Sequence, residues 1–132
     1  MKLEDQVVSL ELAKKMKEAG CMETAEFCWA PMGFIDYPPK DSDYKLHRCF
    51  GKLSADDCYF AYSVAELGEA LPANISENGL TWYLIITKYP LTPIWATGYI
   101  SHDLKTWADK QDNKAVDSMA QMWLYLREKG LI

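Results

Sequence analysis

The chain reads as an α+β protein, an antiparallel sheet of about four strands with three helices packed on its faces. Three observations lead there. Stretches of helical period, each bounded by capping residues, lie near both ends and in the middle of the chain. Runs rich in aromatic and β-branched residues, joined by links of turn composition, fall between them. In Leu80–Tyr89, finally, Leu80, Trp82, Leu84 and Ile86 alternate with Tyr83, Ile85 and Tyr89, so a strand there carries apolar side chains on both faces. A sheet with one face in water would alternate apolar with polar residues. The second face must therefore meet helices, another subunit or a ligand.

The first helix is expected from Leu10 to Ala19. Ser9 is a good N-cap, and Leu12, Ala13, Met16 and Ala19 share one side. Glu11 and Lys15 form an i,i+4 pair in the favourable order. Gly20 suits the left-handed position after the helix, which would turn Cys21 back onto Met16. The second helix, Val64–Leu71, opens on a Ser63/Glu66 capping box, buries Val64, Leu67 and Leu71, and ends at Pro72. The third, Asn113–Lys129, presents Val116, Met119, Ala120, Trp123, Leu124 and Leu126 as a broad apolar arc. Asp112 caps its start, and Gly130 ends it with Leu131 closing on Leu126.

Strands are expected at Glu26–Ala30 and at Tyr44–Phe50, where Tyr44, Leu46 and Phe50 alternate with Lys45 and His47. The polar Pro38-Pro39 and Asp41-Ser42-Asp43 mark the loop between them. Trp82–Lys88 and Ile94–Ile100 form a second pair, joined by the five residues Tyr89–Pro93. Asp57–Tyr62 adds a short edge strand.

A length of 132 residues fits one domain, residues 1–132. The net charge of −5 works against nucleic acid as a partner, since phosphate binding draws on clustered Lys and Arg. Lys14, Lys15 and Lys17 lie beside Glu11 and Glu18 and read as a solvated helix face. The start, Met1 to Gln6, is charged and lacks the apolar core of a secretory signal, and no apolar run approaches the ~18 residues that span a bilayer. A cytoplasmic location and no membrane partner are expected, with Cys21, Cys28, Cys49 and Cys58 as reduced thiols.

Three segments, MKLEDQVVSLELAKKMKEAG, YSVAELGEALP and AVDSMAQMWLYLREKGLI, together resemble small uncharacterised proteins of tailed phages and prophages of gut bacteria. The resemblance covers the two ends and the middle and leaves residues 31–57 unmatched. It implies an intracellular accessory protein of a mobile element, and it carries no catalytic residue or cofactor to this chain.

Chemistry-bearing residues are sparse. Zinc prefers cysteines two to four residues apart, whereas Cys21 and Cys28, or Cys49 and Cys58, are more widely spaced. His47-x-Cys49 gives the best nucleus of a Cys/His site, and buried free thiols acting as small hydrophobes are the simpler reading. His102 adjoins Asp103, but sequence neighbours point apart, and no nucleophile elbow is present. Asp36, Asp41, Asp43, Asp56 and Asp57 gather in the central loops without the glycine and distal glutamate of a calcium loop. No catalytic residue, cofactor or metal ligand is assigned.

The aromatic sheet face remains. Tyr83 and Ile85 are expected to line up with Trp95 and Tyr99 across the hairpin as one interaction surface. Aromatics on a sheet can stack nucleobases, but only Lys88 supplies a cation within these strands. The expected function is a non-catalytic accessory protein of phage or prophage origin, acting on an unknown protein partner or as a homodimer. A small-ligand or nucleotide-binding module using the aromatic face is the alternative, and a Cys/His enzyme the third reading.

Overall fold

The computed structural model describes residues 2–33, 37–49 and 57–132. Among them are three α-helices and seven strands in two antiparallel sheets, an α+β fold. The four strands expected to share one sheet fall in two: those near Glu26–Ala30 and Tyr44–Phe50 belong to a three-stranded sheet, and those near Trp82–Lys88 and Ile94–Ile100 are the middle pair of a four-stranded one. The chain divides into two compact units, Met1–Ser63 and Val64–Ile132.

In the first unit, α1 is Leu10–Glu18, with Ser9 extended at its N-cap and Leu12, Ala13 and Met16 buried. Gly20 takes φ +82, where other residues are strained, and so lets the chain turn back. Its N–H donates to the Lys17 carbonyl, and the Cys21 N–H donates to Met16 at 3.0 Å, the closure expected from the sequence. Strands β1 (Phe27–Pro31), β2 (Tyr44–Arg48) and β3 (Tyr59–Ala61) pair in the order β2-β1-β3. Trp29 stands opposite Leu46 and Tyr59 on one face, and Cys28 opposite His47 and Phe60 on the other. Trp29 donates its indole N–H to the Val8 carbonyl and Val8 donates to Tyr62, both at 2.9 Å, which ties the N-terminal segment to this sheet. The expected end of the second strand at Phe50 lies outside the described residues.

The second unit opens with α2 (Val64–Ala70), followed by the meander β4 (Asn74–Glu77), β5 (Leu80–Lys88), β6 (Trp95–Ile100) and β7 (Thr106–Asp112). Leu67 and Leu71 are buried as expected, but Val64 is 43% exposed, because it stands at the first helical position. Neither β4 nor β7 stands out as an apolar run: β4 contains one large apolar residue, Ile75, and β7 only Trp107 and Ala108. Asn78 and Gly79, at φ +54 and +76, make the tight hairpin of β4 and β5, in keeping with the two-residue turn this dipeptide favours. Gly98 is set by packing: a Cβ there would lie 2.9 Å from the Ala108 carbonyl oxygen, so β6 and β7 approach too closely for a side chain.

Helix α3 (Ala115–Glu128) packs on β5, β6 and β7, and α2 packs on α3. Its arc buries Val116, Met119, Ala120, Met122, Trp123 and Leu126. The Asp112 carboxylate accepts the Lys114 N–H at 3.3 Å and the Gln121 side-chain N–H at 2.7 Å, fixing the approach to the helix. At the other end Gly130 is at φ +73 and the Leu131 N–H donates to Leu126 at 3.0 Å, as its sequence predicts.

Candidate interaction surface

The four-stranded sheet has two different faces. Register places Tyr83 opposite Ile100, Leu84 opposite Tyr99 and Ile85 opposite Gly98. Odd-numbered residues of β5 therefore share a face with even-numbered residues of β6, and the expected grouping of Tyr83, Ile85, Trp95 and Tyr99 is divided. Trp95 and Tyr99 lie on the side of α3, with Leu84 and Ile86. Tyr83 and Ile85 lie on the other side, over Gly98 and beside Ile100. The reason is that side chains alternate with a period of two, so one residue of register reverses every facing. The five-residue link between the strands leaves that register open at the level of sequence.

Tyr99 is fully buried and donates its hydroxyl to the Pro72 carbonyl at 2.7 Å. Burial pushes its phenol up to about 12. Its ring meets Trp107 edge-on at 6.4 Å, and Trp107 in turn meets Tyr125 of α3 at 5.8 Å. Trp107 reaches this position through a register shift between Tyr99 and Ile100. Tyr99 belongs to the core of the second unit, with the half-buried Trp107 and Tyr125 at its edge.

The opposite face of the sheet is turned away from α3. Tyr83 and Ile85 remain 38% and 37% exposed. The Tyr83 hydroxyl lies 3.2 Å from Nε2 of His102 and the two rings are 5.0 Å apart. Towards the other end, the Gln111 amide donates to the Tyr89 hydroxyl at 3.1 Å and to the Asp109 carboxylate at 3.0 Å. Two side-chain bridges thus hold the aromatic groups at the ends of a strip that contains Ile85 and Thr87. The expectation of helices on both faces of this sheet is not met by the second unit's own helices, because α3 covers one face and α2 leans on α3.

Elsewhere the candidate residues have local roles. All four cysteines are free, with Cys28 and Cys58 buried and Cys21 and Cys49 half-buried. Cys28 faces His47 across the strand pair, and Nε2 of His47 is buried without a hydrogen-bond partner among the described residues. Among the described residues no three His, Cys, Asp or Glu side chains come together in a way that could hold a metal ion. The Asp41 carboxylate pairs with Lys14 at 2.8 Å, and Asp43 accepts the Lys40 N–H at 2.8 Å to close a turn. Asp36 and Asp56 lie outside the described residues.

Lys14 and Lys17 are not simply a solvated face. Lys14 Nζ stands 5.1 Å from the Tyr44 ring centre and 5.8 Å from that of Tyr59, and Lys17 Nζ stands 5.0 Å from Tyr59. Lys17 also donates to the Cys58 carbonyl at 2.9 Å. Burial, followed by the neighbouring Tyr59 and Asp57, raises the Tyr44 phenol to about 12. Spacing of i and i+3 placed the two ammonium groups on one side of the helix, but only the packing of α1 against β3 brought the rings beneath them.

Comparison with protein-family models, with curated proteins and with solved structures finds no match to this chain. Among the described residues no helix is long and apolar enough to cross a membrane.

Proposed function

We propose that this is a non-catalytic accessory protein of phage or prophage origin, working in the cytoplasm through a protein contact made by the open face of its four-stranded sheet. One observation carries the reading: Tyr83 and Ile85 stay more than one-third exposed on a central strand, on the face away from α3, which packs chiefly over β6 and β7. Apolar groups clustered on a surface favour association, and Tyr adds a polar handle that suits a partly wet interface. The phage-like segments supply the biological setting.

The Tyr83–His102 ring pair also supports the second reading, in which a planar small ligand stacks on this face. The protein contact is favoured because none of the strand residues on this face is a Lys or Arg that would hold a phosphate. The test is a photo-cross-linking amino acid in place of Tyr83, irradiated in the bacterium producing the protein. The expected outcome is a protein adduct that disappears when Ile85→Asp is added. Adducts unaffected by that substitution, or a thermal shift with nucleotides and no protein adduct, would overturn the proposal.

A further inference from the structure

The open sheet face is unusual in its charge. Strands β4 to β7 send about a dozen side chains to that side, by the alternation of a pleated sheet. Only Asp109 among them is charged, and its carboxylate already accepts a hydrogen bond from Gln111. In the whole chain one residue in four is charged and the net charge is −5. Two identical acidic chains repel wherever their charged surfaces meet, and like charges held together are costly. On this face two copies can approach with little of that penalty.

We propose that the occupant of the face is a second copy of this chain, stacked sheet to sheet about a twofold axis near Ile85 and Gly98. The proposal rests on the reading of this face as an interaction surface and adds who occupies it. A twofold contact uses the same patch on both partners, so one nearly uncharged face, with Tyr83, Ile85 and Ile100 among Thr, Ser, Asn and Gln, suffices. Ile85 and Gly98 pair on the two central strands, so an axis there overlays the faces most fully. Four strands about 4.8 Å apart and six residues of about 3.3 Å give a face of about 20 Å by 20 Å. Two such faces bury less than the ~1,200 Å² at the lower end of stable interfaces, so the association is weak and reversible.

Sedimentation equilibrium of the full-length protein between about 1 µM and 1 mM reads this directly. The wild type is expected to move from monomer towards dimer across that range. Ile85→Asp and Ile85→Lys should each stay monomeric, and an equal mixture of the two should recover dimer, because opposite charges then meet at the axis. If either variant melts well below the wild type, Thr87→Asp and Thr87→Lys, on the same face and exposed, replace them. A wild type that stays monomeric throughout, or variants that dimerise as before, would overturn the second copy as occupant. If the wild type is monomeric yet the Tyr83 cross-link to another protein still depends on Ile85, the interaction surface stands and only the occupant is wrong. Loss of both results removes the surface as well.

Discussion

The hydroxyls of Thr97 on β6 and Ser118 on α3 lie 2.7 Å apart, and both residues are fully buried. Ser118 also stands 2.7 Å from the Ala115 carbonyl, which can only accept. Its single proton goes there, so Thr97 is the donor in the pair. One polar bond therefore locks the central strand to the helix inside an otherwise apolar layer.

Removing the acceptor should be costly, because a buried donor without a partner loses about 1–3 kcal/mol. Ser118→Ala is expected to lower the urea midpoint, and adding Thr97→Val should recover part of the loss. Strictly additive losses in the double variant would show that the two hydroxyls do not depend on each other.

Trp123 lies almost wholly within the α3 interface. Truncating a residue of that size costs about 3–5 kcal/mol, a large share of the ~5–15 kcal/mol of a whole domain. Trp123→Ala should be insoluble or melt many degrees lower. A melting temperature within a few degrees of wild type would mean that α3 contributes little to the core.

Leu104 sits at φ +61 in the hairpin between β6 and β7 and is 76% exposed. Its N–H donates to Ser101, whose own N–H donates to Lys105, a short loop in which glycine is favoured at the left-handed position. Leu104→Gly should stabilise the fold by up to about 1 kcal/mol, since a left-handed backbone strains any residue with a Cβ. A lower midpoint in urea melts would reveal a contact for the leucine that outweighs the strain.

Tyr44 and Tyr99 keep their phenolic protons up to about pH 12, against the ordinary 10.0. The unfolded chain releases both protons near pH 10, so the folded state binds more protons above that point. The stability they contribute is complete below pH 10 and declines as pH rises towards 12. Urea midpoints should fall across this window, and Tyr99→Phe should flatten the fall. An equally steep fall in the variant would assign the effect to other groups.

Thiol titration of the freshly purified, denatured protein should count the four cysteines of the sequence. In the folded protein Cys21 and Cys49 should alkylate quickly, and Cys28 and Cys58, both buried, slowly. Four equal rates would place the thiols in environments other than these.

Local chemistry was readable in the sequence. The two glycine-closed helix ends, at Gly20 and Gly130, follow from single residues and their nearest neighbours, as does the α+β class from the alternation of periods. The hairpin of β5 and β6 was readable as a pair, because two runs rich in aromatic and β-branched residues flank a five-residue link. The candidate surface was readable only in part: Tyr83 and Ile85 share a face as expected, whereas Tyr99 is buried on the other face and Trp95 lies half-buried beside it. Register decides that, and register depends on how a five-residue link closes and on which face α3 can cover. The weakly patterned β4 and β7 owe their place to hydrogen bonding with a neighbour already in the sheet and to one large apolar side chain each, Ile75 and Trp107. Lys14 and Lys17 likewise needed α1 laid against β3 before they met Tyr44 and Tyr59. The sequence determined the three helices, their two glycine-closed ends and the central hairpin, which are set by contacts a few residues apart. Only the tertiary structure decided facing and company, which arise between residues far apart along the chain.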